Sequence, residues 1–161
     1  MKIGVIADSH DHSDNIKKSL RIFGEKNVAY ILHLGDFISP NSIKEFGGFK
    51  LIGIFGNNDS DKVRLISAFN EIGGEVKGDF YEFEADNLKF ACYHGTDPKI
   101  VDAAITSQRY DIFLYGHIHQ CVNKTIKKTM VLNPGTAHGF SDRATIMTFD
   151  TRILKAEFID L

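Results

Sequence analysis

The 161-residue sequence predicts an α/β fold in which two β-sheets pack together with helices outside them. Two observations carry this. The N-terminal part alternates short β-prone segments with helical ones, and a βαβαβ order gives a mainly parallel sheet with helices on its faces. The chain then changes character: a hairpin follows, and the C-terminal third reads as strands. Two packed sheets account for both halves.

Lys2 to Ala7, KIGVIA, is the first strand. Ser13 is placed to cap the next helix, where Ile16, Leu20 and Phe23 recur at helical spacing. Tyr30 to Leu34 forms the second strand, Asn41 to Phe46 a short helix ended by Gly47-Gly48, and Lys50 to Phe55 the third strand. A helix from about Asp61 to Asn70 follows. Asp79 to Glu84 alternates polar and apolar residues, and the turn Ala85-Asp86-Asn87 leads to Leu88 to Tyr93, which makes a hairpin. Asp97-Pro98 starts another helix with Val101, Ala104 and Ile105 on one side. Asp111 to Tyr115 is a strand, as are Cys121 to Lys127, Met130 to Leu132, Ala144 to Asp150 and Leu154 to Ile159. Pro134-Gly135 suits a type II turn. The aromatic residues mostly alternate within strands and read as core.

The whole-chain properties narrow the function. Hydrophobic residues make up 43% and charged residues 25%, the mix of an ordinary soluble globular protein. The length suits a single domain spanning 1–161, and no repeat or low-complexity linker divides it. Nineteen basic against twenty-one acidic residues leave a net charge of −2, which argues against a general polyanion-binding surface. A small phosphate-bearing substrate stays open, because a bound metal supplies local positive charge. No apolar run is long enough to span a membrane, and MKIGVIADSH reads as a strand, not a signal peptide. Cys92 and Cys121 are too few for a disulfide framework and too far apart for a thiolate metal knuckle, so a reducing cytoplasm is the expected compartment.

The chemically capable residues fall just after strands. Asp8 and His10 follow the first, Asp36 the second and Asn57 the third. His94 ends the hairpin, and His117 and His119 follow DIFLY. Ligands of α/β sheets bind beyond the strands' carboxyl ends, so five loops deliver these seven residues to one edge. Asp8 and His10 are two apart, as are His117 and His119, and in extended backbone such pairs point the same way. Gly35, Gly56 and Gly116 precede Asp36, Asn57 and His117 and permit sharp turns. Carboxylate, amide and imidazole donors without a thiolate suit divalent Mn, Fe, Co, Ni or Zn. With one aspartate shared, seven ligands give each of two ions four contacts and leave room for water and substrate.

The motifs Asp8-Ser9-His10, Gly35-Asp36, Gly56 to Asp59, His94-Gly95 and Gly116 to His119 resemble the ordered motifs of the calcineurin-like metallophosphoesterases. The short chain and the late Asn133 to Thr136 (NPGT) resemble their small single-domain prokaryotic phosphodiesterase branch. The resemblance implies a four-layer αββα sandwich, two packed mixed β-sheets flanked by helices. It further implies that Asp8, His10 and His119 hold one metal, that Asn57, His94 and His117 hold a second, and that Asp36 bridges them. Two divalent ions about 3.5–4 Å apart bind phosphate oxygens and aim a bridging water or hydroxide in line at phosphorus. The implied activity is hydrolysis of phosphodiester bonds, with a small phosphoester as substrate. Two departures from the family pattern stand out. Larger relatives carry a histidine acid where this chain has Asn58, which donates hydrogen bonds but is no acid. The short branch often reads HGH where this chain has His94-Gly95-Thr96.

Several further residues have two readings each. Asp59 either caps the next helix or hydrogen-bonds near the leaving group, and together with Asn58 it is the candidate for catalytic assistance. His12, Thr96 and His138 are candidates for substrate contact, against a surface-loop role for His12 and a solvent-exposed one for His138. His33, inside a strand, reads as a core histidine or one that orients a ligand. Arg143 meets either a phosphate or a surface acid. Specificity is expected from residues 39–41, 96–99 and 136–143. The fold is also used by a retromer scaffold subunit with a degraded site and by DNA nucleases. The complete ligand set here speaks against the first. The lack of a basic stripe and of extra capping segments speaks against the second. A homodimer is the base-rate assembly for small soluble enzymes.

Overall fold

The computed structural model describes residues 1–140 and 143–161. In chain order the elements are β1 (Lys2–Ile6), α1 (Ser13–Glu25), β2 (Ile31–His33), α2 (Pro40–Lys44), β3 (Leu51–Gly53), α3 (Lys62–Glu71), β4 (Glu75–Val76), β5 (Phe80–Ala85), β6 (Leu88–Tyr93), α4 (Pro98–Thr106), β7 (Ile112–Tyr115), β8 (Cys121–Ile126), β9 (Thr129–Pro134), β10 (Thr145–Asp150) and β11 (Lys155–Asp160). One sheet runs β11-β10-β1-β2-β3-β4 and the other β5-β6-β7-β9-β8. Both are mixed. β1, β2, β3 and β4 pair in parallel, with β10 and β11 antiparallel at one side. β6, β7 and β9 are parallel between the antiparallel edges β5 and β8.

Three apolar interfaces stack these elements into four layers. The first lies between the helices α1 to α3 and the first sheet. Ile16, Leu20 and Phe23 of α1 and Leu65, Ala68 and Phe69 of α3 meet Ile6, Ile31 and Leu51 there. The second joins the two sheets: Ile3, Val5 and Leu32 from one pack on Phe90, Cys92, Ile112, Leu114 and Leu132 from the other. The third seats Ala104 and Ile105 of α4 on Ala91, Tyr93, Phe113 and Val131. The two-residue period of a strand makes this possible. In β6, Phe90 and Cys92 face the other sheet while Ala91 and Tyr93 face α4. Each fully buried phenylalanine removes enough apolar surface from water to contribute about 1.5–3 kcal/mol.

Several sequence expectations shift. Ser13 is the first helical residue of α1, not its cap. His12 caps it, its Nδ1 accepting the Asn15 N–H at 3.3 Å. The short helix starts earlier, at Pro40, and ends at Lys44, before Gly47-Gly48. Proline fits the first helical position because its missing N–H has no helical partner there. β1, β2 and β3 end before Ala7, Leu34 and Ile54, where the chain leaves the sheet for the loops of the candidate site. β9 instead extends from Thr129 to Pro134, beyond the expected Met130 to Leu132. The strand β4 is too short to carry any pattern of its own.

Candidate metal centre

The parallel strands deliver their following loops to one end of the sandwich, and those loops are tied to each other. The Asp8 N–H donates to the Gly35 carbonyl at 3.1 Å, His10 N–H to the Asp36 carbonyl at 3.1 Å, and Gly116 N–H to the His94 carbonyl at 2.8 Å. Asp8, His10, Asp36, His117 and His119 all have positive φ, between 41° and 66°. At Gly35 φ is +100°, and a Cβ at Gly56 would meet Asp36 Oδ1 at 2.2 Å. Gly56 therefore lets the third loop lie directly against the Asp36 carboxylate.

Asp8, Asp36 and His94 form a buried floor. Asp36 Oδ2 lies 3.2 Å from His10 Nε2 and 3.5 Å from His94 Nε2. Asp8 Oδ1 lies 3.2 Å from His119 Nε2, 3.9 Å from His94 Nε2 and 4.0 Å from His10 Nε2. His94 Nε2 is 3.0 Å from Asn57 Oδ1, and the His94 and His117 rings are 5.2 Å apart. Two groups with metal-holding spacing result among the described residues, Asp8–His10–His119 and Asp8–Asp36–His94. Asn57 joins through His94, and His117 through its ring and through its N–H, which donates to Asp8 Oδ2 at 3.0 Å. Asp8 belongs to both groups, and Asp36 Oδ2 likewise faces His10 of the one and His94 of the other. Asn57 and His119 form an exposed rim.

The residues fit a bound cation. Asp8 Oδ1 and His10 Nε2 are buried without a hydrogen-bond partner, and a buried unsatisfied charged group is costly unless something else, such as a metal, meets it. His94 donates from Nδ1 to the Leu34 carbonyl at 2.7 Å, which leaves the lone pair of Nε2 facing the carboxylates. The electrostatics agree. Burial works to raise Asp36, but the imidazoles of His10 and His94 and the Asn58 N–H outweigh it and hold this carboxyl well below the usual range. Burial works to lower His94, yet Asp36 and Asp8 raise it. The neighbouring Asp8 raises His119. Burial and the charge of His94 lower His117.

The remaining candidates fall in different places. Asn58 donates twice to Asp36, from its N–H to Oδ1 at 2.9 Å and from Nδ2 to Oδ2 at 2.8 Å. Asp59 does not cap α3; Asp61 does, accepting the Arg64 N–H. Asp59 is instead 2% exposed and accepts from four backbone N–H groups, those of Asp36, Phe37, Ile38 and Gly56, at 2.7–2.9 Å. Its oxygens hold the second and third loops together, and the residue also lines the cavity beside Asn57 and Thr96. His33 is buried. Its Nδ1 accepts the Gly35 N–H, and its Nε2 donates to Ser9 Oγ at 2.9 Å. Thr96 Oγ1 is 3.4 Å from Asn57 Oδ1. The His138 ring lies 6.0 Å from that of His10 and 5.2 Å from that of His12. Arg143 meets a surface acid, pairing with both carboxylate oxygens of Asp160. Of the segment 136–143, Ser141 and Asp142 lie outside the described residues.

Sequence reasoning passed over three residues. Asn133 joins the NPGT turn to the GHIH loop by donating to the Gly116 carbonyl at 2.7 Å. Asp11 accepts from Ser39 and Ser42. Phe140 packs its ring 4.5 Å from that of His10 and 5.0 Å from that of His119. For Asn133 the motif itself was the signal. Asp11 and Phe140 had none.

The model of the calcineurin-like phosphoesterase superfamily domain matches residues 1–153. The chain belongs to this superfamily. Among curated relatives, a phosphodiesterase from Methanocaldococcus jannaschii is 39% identical to this superfamily member over 143 residues, which cover 87% of this chain and 86% of the relative. A solved archaeal phosphodiesterase superposes with a TM-score of 0.95 at 37% identity, covering 100% of both chains. A solved phosphoesterase from E. coli gives a TM-score of 0.74 at 15% identity, covering 99% of this chain and 98% of that one, and shows the shared fold. Membership carries divalent metal ions with it, and the clustered Asp and His residues of this superfamily member suit them.

Proposed function

We propose that this chain is a dinuclear metal-dependent phosphodiesterase. The observation that carries the reading is the buried pair Asp8 and Asp36, faced by His10, His94 and His119, with Asp8 Oδ1 and His10 Nε2 lacking a hydrogen-bond partner. Its likeness to the M. jannaschii phosphodiesterase supports the diester as substrate. Asp8, His10 and His119 would hold one ion, Asn57, His94 and His117 the other, and Asp36 would face both. Mn, Ni, Fe, Co and Zn all suit this donor set. Two such ions supply Lewis acidity toward phosphate oxygens and acidify a water near phosphorus.

The chain's own groups supply positioning. His94 is oriented by Leu34, Asp36 by Asn58, and the loop carrying Asp36 by Asp59. Asn58 has no proton to transfer to a departing alkoxide, so esters whose leaving group is stable as an anion are favoured. Alanine at Asp36 or His117 is expected to abolish metal-dependent hydrolysis of a nitrophenyl diester. An unchanged rate in either variant would overturn the reading.

A further inference from the structure

Two cavities flank the candidate metal centre, and the strand orders put them on opposite sides of it. One, of about 480 Å³, is lined by Ile118, His119, Cys121, Phe140, Arg143 and Thr145. The other, of about 460 Å³, is lined by Phe55, Asn57, Lys62, Tyr93, Thr96 and Ile100. Thr145 begins β10, on one side of β1, whereas Phe55 and Asn57 follow β3, on the other. In the second sheet Cys121 begins β8, beyond β9, whereas Tyr93 ends β6, across β7. Each cavity touches a candidate ligand at the exposed rim, His119 in the first and Asn57 in the second.

Each cavity also has an apolar wall left open to solvent. Ile118 is 42% exposed and Phe140 51% in the first; Ile100 is 42% exposed in the second. Among the described residues, the one Lys or Arg lining each is already paired. Arg143 binds both oxygens of Asp160, and Lys62 binds Asp79 at 2.6 Å. Among the described residues, neither flank offers an uncommitted cationic side chain for a second phosphate.

We propose that the two cavities seat the two organic substituents of one phosphodiester, and that the preferred substrates carry two uncharged, ring-sized groups. The inference rests on the phosphodiesterase reading and extends it. A phosphodiester centred on the metals must send one ester oxygen each way, and a monoester fills only one flank. Hydrolysis adds water oxygen to phosphorus and breaks one ester P–O bond. The released alcohol or phenol then occupies one cavity and the substituent of the product monoester the other.

The test compares bis(para-nitrophenyl) phosphate with methyl para-nitrophenyl phosphate on manganese-loaded protein. Both lose the same nitrophenolate, and they differ only in the group retained. Ile118→Ala alters one flank, and Ile100→Ala alters the other; both positions are surface-exposed, and thermal unfolding confirms folding. Truncation of the flank holding the retained group is expected to lower kcat/KM for the bis-aryl ester about tenfold while changing the methyl ester less than about twofold. Truncation of the opposite flank is expected to lower both esters together. The inference is overturned if variants on both flanks give the same pattern, or if none moves either substrate beyond about twofold. Absence of diester turnover by the wild-type protein, with any of the five metals, would overturn the phosphodiesterase reading itself.

Discussion

Asp59 shows how much of this site depends on the hydrogen bonds that fix its loops. One buried carboxylate takes four backbone N–H groups from two loops, and burial together with the Asp36 charge raises its pKa against the pull of those donors. Asp59→Ala would strand buried donors, each worth about 1–3 kcal/mol when unsatisfied. The variant is expected to lose about 3 kcal/mol or more in urea unfolding and to bind metal poorly by calorimetry. Asn58 lies beside it with a different assignment. General acids typically contribute about 10²–10⁴-fold, so in their absence nitrophenyl diesters are expected to outpace alkyl diesters by at least about hundredfold. Comparable rates would remove the argument built on Asn58. The seven candidate ligands were legible because Asp, His and Asn after successive strands are hard to explain otherwise. The role of Asp59 was not legible, because four backbone donors converging from two loops leave no mark on side-chain identity.

At the scale of elements, the sandwich depends on strands that are apolar on both faces. Leu132 is fully buried in β9 between the sheets. Leu132→Ala is expected to cost about 2–5 kcal/mol, read as a lowered urea midpoint, while kcat per folded molecule changes little. The sequence revealed nearly every element through its apolar period. Their ends were less legible. Ala7, Leu34 and the residues after Gly53 continue the apolar pattern, yet the backbone there already turns toward the candidate ligands. The α1 cap was misassigned because serine is the commoner capping residue, whereas here an imidazole nitrogen takes that N–H.

For the whole molecule, pH and metal act on the same end of the sandwich. His33 is fully buried, and burial pushes its pKa down to about 3, against about 6.5 in an unfolded chain. Between these values the unfolded chain binds a proton that the folded protein refuses. Stability is therefore intact above about pH 6.5 and falls by up to about 1.4 kcal/mol per unit as pH drops below it. In chelator-treated protein, His33→Asn is expected to be less stable near neutrality but to show a shallower acid slope, measured by urea midpoints from about pH 7 to 5. Equal slopes would remove His33 from the account. Divalent metal is expected to raise the unfolding temperature in proportion to the logarithm of its free concentration, because it supplies the partner that Asp8 Oδ1 lacks.

The left-handed backbone at Asp8, His10, Asp36, His117 and His119 has an evolutionary consequence. A histidine there carries a conformational penalty of about 1–2 kcal/mol, whereas hydrogen bonds from Asn58 to Asp36 and from the His117 N–H to Asp8 offset the cost at the aspartates. In metal-free protein His117→Gly is expected to be about 1 kcal/mol more stable than His117→Ala, measured by chemical denaturation. A lineage released from catalysis would therefore gain backbone stability by replacing a histidine such as His117 with glycine.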